Sequence, residues 1–87
     1  MNSTLRGKAI QFALNKEWEK ASRANQKILE THPQNKKALL RLGKALIHLQ
    51  DYSEAKETFE KVLDQDPINK IAKKNLKKIK TKIKVRA

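Results

Sequence analysis

Two stretches, THPQNKKA at residues 31–38 and QDPINKIA at residues 65–72, hold the chain's only two prolines in one setting, 34 residues apart. Each proline is followed two places later by Asn and then by Lys. A fixed period of about 20–50 residues marks a chain built from stacked copies of one small unit, none of which can bury its apolar face alone. Aligning residues 2–35 with 36–69 gives six identities: Leu5 with Leu39, Ala21 with Ala55, Lys27 with Lys61, Leu29 with Leu63, Pro33 with Pro67 and Asn35 with Asn69. Phe12 with Leu46, Glu17 with Asp51, Trp18 with Tyr52, Ile28 with Val62 and Glu30 with Asp64 keep their chemistry.

The matches have helical spacing. In the second copy Leu39, Leu42, Leu46 and Leu49 recur at three and four residues, as do Tyr52, Ala55, Phe59 and Val62 with Leu63, which predicts two amphipathic helices broken at Gln50-Asp51. Asp51 with Glu54 has the form of a capping box that opens the second helix near Tyr52. Pro67 has no amide hydrogen and disfavours helical geometry in the residue before it, so that helix ends near Asp64 or Gln65. Asn69 then caps a following helix. The repeated Pro-x-Asn-Lys element is therefore punctuation between helices. Five helices are predicted, near residues 3–15, 18–31, 36–49, 52–65 and 70–84.

The second copy reads Leu39-x2-Leu42-Gly43-x2-Leu46, then Ala55-x3-Phe59, then Pro67. It resembles the tetratricopeptide repeat, whose pattern is W-x2-L-G-x2-Y, A-x3-F and P. In the first copy Leu5, Ala9, Phe12, Ala21 and Pro33 fit, while Lys8 and Asn25 stand where Leu and Phe are usual, a divergence that suits a terminal repeat. The resemblance implies an all-α fold of antiparallel helix hairpins stacked as a short right-handed solenoid. It implies one domain over residues 1–87, with repeats at 2–35 and 36–69 and a basic amphipathic capping helix at 70–87. Small residues, Ala9 facing Ala21 and Gly43 facing Ala55, would let the helices of each hairpin approach closely.

Residues 70–87 carry nine Lys or Arg and no acid, three quarters of the net charge of +12. Ile71, Ala72, Leu76, Ile79 and Ile83 form a stripe that could cover the second hairpin, whereas Lys73, Lys77 and Lys80 occupy positions that would otherwise meet a further helix. Lys73, Lys74, Lys77, Lys78, Lys80, Lys82, Lys84 and Arg86 are the candidate residues for attraction to a polyanion, RNA or an acidic membrane. The segment has no aromatic residue on which a base could stack, so any such binding is phosphate-driven and non-specific.

Enzymatic chemistry is not expected. Cysteine is absent, which removes disulfides, thiolate ligands and thiol nucleophiles and suits a reducing, cytoplasmic setting. No apolar run approaches a membrane span, and MNSTLRGKAIQFALNK lacks the continuous apolar segment of a secretory signal. His32 and His48 share no repeated carboxylate pattern that would make a metal site, Asp64-Gln65-Asp66 lacks the glycine of a calcium loop, and Ser3 and Ser53 have no adjacent activating pair. Gly7 and Gly43 are the only glycines, so there is no phosphate-cradling loop, and neither cofactor nor small-molecule substrate is expected. Trp18 reads as packing at a hairpin corner, as Tyr52 does.

Function then rests on surface. The resemblance implies a concave groove lined by the first helix of each repeat, here Arg6, Ile10 and Ala13, then Lys37, Leu40, Arg41, Lys44 and His48, continued by Lys74 and Lys78. That surface is basic with apolar gaps, and suits an extended or helical acidic partner segment. The family's carboxylate clamp for chaperone C-termini does not carry over: Arg6 can stand for a clamp lysine, but Ile10 and Arg41 replace its asparagines, and Ile71 and Asn75 its final Lys and Arg. The leading expectation is a non-catalytic protein-interaction module. The alternative is an electrostatic tether to RNA, ribosome or acidic membrane through the C-terminal helix. Weak self-association is a third, because two repeats fall below the roughly three usually needed for stability.

Overall fold

The computed structural model describes residues 2–86, with the side chains of residues 4–83. Five helices follow one another: α1 (Asn2–Leu14), α2 (Trp18–Thr31), α3 (Lys36–His48), α4 (Tyr52–Gln65) and α5 (Lys70–Arg86). Among the described residues there is no strand. Each helix packs on its neighbour in the chain, and α3 also touches α1 and α5, so the molecule is a short stack of antiparallel hairpins closed by α5.

The helix ends follow the sequence period. Asn35 and Asn69 each accept from the backbone amide three residues on, Ala38 at 3.0 Å and Ala72 at 2.9 Å, satisfying amides that have no partner within their own helix. At the other turn the period repeats a conformation that no glycine announces. Lys16 (φ 59°) and Gln50 (φ 64°), 34 residues apart, are left-handed, and the next amide of each reaches back five residues, Glu17 to the Phe12 carbonyl at 2.8 Å and Asp51 to that of Leu46 at 2.9 Å. This pair of turns is a Schellman closure, ordinarily glycine's place. Asp51 makes no side-chain cap bond, so the expected capping box does not form; the closure already satisfies the Asp51 backbone amide that Glu54 would have taken.

The larger core lies between α3, α4 and α5, where Leu39, Leu42, Leu46, Ala55, Phe59, Val62, Ala72 and Ile79 are buried together. A thinner, alanine-rich cluster of Ala9, Ala24, Ile28 and Ala38 joins α1, α2 and α3. Ala21 and Ala55 are both buried, as equivalent close-packed positions require. The close approach at Gly43 is to the Phe59 ring: a Cβ there would lie 2.5 Å from its Cζ. Ile71 departs from the expected stripe. Ala72 and Ile79 carry α5 into the core with Leu76 half-buried, while Ile71, one residue and so 100° round the helix from Ala72, is 56% exposed.

Candidate functional site

The period makes Asn25 of α2 the counterpart of Phe59, and both are completely buried. Buried amides need partners. Asn25 Nδ2 donates to the Ala21 carbonyl one turn earlier at 2.8 Å, which fixes the amide and leaves Oδ1 to accept from Arg41 Nε of α3 at 2.9 Å. The guanidinium is thus drawn partly out of water, and its Nη2 is buried with no hydrogen-bond partner. No described carboxylate lies within ion-pair distance of Arg41. Burial first, and the charge of Arg6 second, pull the Arg41 pKa below its ordinary value. The guanidinium is therefore held by a neutral amide on one side, partly desolvated, with no described carboxylate beside it.

Arg41 lies in a groove of about 530 Å3 between α3 and α5. Lys44 and His48 continue the α3 side, Lys74 and Lys78 the α5 side, Leu40, Ile47 and Ile71 supply apolar surface, and Asn75 adds an amide. None of these lining residues is acidic. At the end of α3 the His48 ring stacks on Trp18, centroids 4.0 Å apart and planes 3° from parallel, with Lys44 Nζ 6.0 Å from the Trp18 ring centroid. His48 is exposed overall, but the face on Trp18 is sheltered; that desolvation, followed by the charges of Lys44, Lys16 and Lys78, lowers its pKa from the ordinary 6.5. Helices α1, α2, α3 and α5, or the turns at their ends, all contribute to this corner.

Of the residues expected at the groove, Leu40, Arg41, Lys44, His48, Lys74 and Lys78 come together. Arg6 is exposed on α1, close enough to Arg41 for their charges to interact. Ile10 is exposed, Ala13 half-buried and Lys37 exposed, and none of the three lines this groove. Ile71 and Asn75, which the resemblance sets at the clamp's final Lys and Arg positions, also line it, and so does Ile47, which carried no expectation from the sequence. Trp18 is half-buried at the corner as expected, but its stacking partner lies 30 residues away and bears on the groove. The other α5 lysines divide between faces: Lys73, Lys77 and Lys80 border a second groove, against α4, and Lys82 is exposed. The side chains of Lys84 and Arg86 lie outside the described residues. Among the described residues no group of three His, Asp or Glu could hold a metal ion, and no helix is long and apolar enough to cross a membrane.

Comparison with known proteins agrees with this architecture. Over 67 residues the chain is 37% identical to sperm-associated antigen 1 of Rattus norvegicus, a match spanning 77% of this chain and 8% of that protein. Among solved structures, the first tetratricopeptide domain of Spaghetti (RPAP3), bound to the HSP90 peptide SRMEEVD, superposes with a TM-score of 0.90 at 26% identity, covering 95% of this chain and 66% of that one. The family signature described as tetratricopeptide repeat matches residues 13–78, from the last turn of α1 into α5. With helix hairpins in the same arrangement and a family match over most of its length, the chain belongs to the tetratricopeptide repeat family.

Proposed function

We propose that this interaction module binds an acidic segment of a partner protein in the groove between α3 and α5. The observation that carries the reading is Arg41, desolvated on Asn25 and without a carboxylate. A carboxylate arriving beside it takes up a guanidinium whose desolvation has already been met by folding, and charge-assisted bonds to Arg are the strong class. Lys44, His48, Lys74 and Lys78 extend the positive surface, and Leu40, Ile47 and Ile71 give apolar anchors between the charges. The peptide in the Spaghetti structure, SRMEEVD, is itself acidic, with two Glu and one Asp. Because Arg41 replaces a clamp asparagine, the recognition we infer here is of side-chain carboxylates along the segment rather than a copy of that clamp.

The test is calorimetric titration of the chain with SRMEEVD and with its neutral counterpart SRMQQVN. Binding of the first with at least about tenfold loss for the second, accompanied by amide shifts at Arg41, Lys44 and Lys78, is the expected result. Equal affinity for both peptides, or shifts confined to Lys73, Lys77 and Lys80, contradicts it. Loss of RNA binding on changing the α5 lysines, with no peptide binding at all, would transfer the function to the tether.

A further inference from the structure

The opposite side of α5 holds a feature that the groove reading does not use. Between α4 and α5 lies a second groove of about 430 Å3. Its floor is apolar, with Leu63 from α4 and Leu76, Ile79 and Ile83 from α5. On α5 these last three follow at intervals of three and four residues, a continuous helical stripe, and Ile83 at its end is 43% exposed. Lys73, Lys77 and Lys80, also at four and three, run beside the stripe, Lys56 faces them from α4, and Glu60 is the one acid in the lining.

We propose that this face is a docking surface for an acidic amphipathic helix of a partner protein. The apolar stripe calls for a surface with the same helical repeat, since the floor between two packed helices is a trough into which a third helix can lay its side chains. The lysine border sets the charge: the flanks of the incoming helix carry Glu or Asp opposite Lys56, Lys73, Lys77 and Lys80. A second copy of this chain is the wrong partner, because two such faces would bring their lysine borders together on molecules of net charge +12. A nucleic acid matches the charge but makes no use of the floor, which has no aromatic ring to stack a base. An acidic helix answers both features at once.

A fluorescein-labelled 15-residue peptide with Leu at helical spacing and Glu on both flanks serves as the probe, read by fluorescence anisotropy and by amide chemical shifts of the whole chain. We expect saturable binding with shifts at Leu63, Leu76, Ile79 and Ile83. The Lys73→Glu/Lys77→Glu/Lys80→Glu variant should bind at least about tenfold more weakly and gain affinity for the same peptide with Lys in place of Glu. A peptide with the Leu residues changed to Gln should lose a comparable factor. Circular dichroism establishes that the variant keeps its helices, and because the swapped pair must gain affinity, simple misfolding cannot reproduce the expected result. Equal binding of the Leu→Gln peptide, shifts confined to the α3–α5 groove, tighter binding of RNA than of the Leu/Glu peptide, or a concentration-dependent dimer through this face each overturns the proposal.

Discussion

The same substitution, glycine to alanine, should have opposite effects at the chain's two glycines. Both lie inside helices, where alanine is favoured by about 1 kcal/mol. At Gly7 of α1 an added Cβ meets nothing within 4 Å, so Gly7→Ala should raise stability by about 0.5–1 kcal/mol. At Gly43 the same carbon would sit 2.5, 2.6 and 2.9 Å from three atoms of the Phe59 ring. Carbon atoms rest about 3.5–4.0 Å apart, so the ring must retreat by about 1 Å. It has nowhere easy to go, because Phe59 is fully buried among Leu39, Leu42, Leu46, Val62 and Ile79. Three ring atoms displaced at once in a closed site put the overpacking cost in the upper part of its range, about 2–3 kcal/mol, and after the helical gain of about 1 kcal/mol Gly43→Ala should be net destabilising by about 1–2 kcal/mol. For a domain of this size each kcal/mol moves the melting temperature by about 4–8 °C, so a gap of about 1.5–3 kcal/mol should separate the two melts by about 6–24 °C, on either side of the parent. Thermal and urea melts followed by circular dichroism measure this, with an unchanged urea slope required for a like-for-like comparison. A Gly43→Ala variant as stable as the parent would refute the close packing of α3 on α4.

Other expectations follow from single features. Ile79→Ala should cost about 2–5 kcal/mol, whereas Ile71→Ala should stay within about 0.5 kcal/mol in the same melts, because one side chain is buried and the other open to the groove. Gln50→Gly should stabilise by about 0.5–1 kcal/mol in a urea titration, since relief of the left-handed strain outweighs the added freedom of the unfolded chain. The folded His48 pKa lies below its unfolded value, so below 6.5 the unfolded state binds the proton first: stability should be full above that pH, fall as the pH drops toward the folded pKa, and lose this dependence in His48→Gln. The Asp66 carboxyl is likewise lowered, by its bonds from Asn69 and then Lys36, so its contribution should hold above about pH 4 and vanish as the pH falls through the folded pKa.

What the sequence made legible was local or periodic. Pro33 and Pro67 stop helices, Asn35 and Asn69 start them, and Ala21, Leu39, Leu42, Leu46, Ala55, Phe59 and Val62 are buried as their spacing implied. These features are written in neighbouring residues and in the 34-residue match. The polar and aromatic contacts between distant helices and turns are not. Asn25 meets Arg41 across 16 residues, Trp18 meets His48 across 30, and Lys36 meets Asp66 across 30, at 3.3 Å between successive turns. Each depends on the angle and register of two packed helices. A signal for the first was present all the same: Asn25 stands where the second copy has buried Phe59, and an amide in a core position calls for a polar partner on the next helix. The Schellman turns leave no glycine signal in the sequence, because Lys16 and Gln50 supply the left-handed residue, and the Asp51–Glu54 capping box does not form because the turn already uses the amide it would satisfy.

The most direct measurement compares Arg41→Gln with the Lys73→Gln/Lys77→Gln/Lys80→Gln variant in binding SRMEEVD at a single ionic strength. Removing one partner of a desolvated charge pair costs about 2–5 kcal/mol, so Arg41→Gln should lose at least about tenfold in affinity, and more than the triple variant, although it removes one positive charge and the other three. A larger loss from the three lysines, with Arg41→Gln binding like the parent, would mean that the net charge of α5 and not the groove governs recognition.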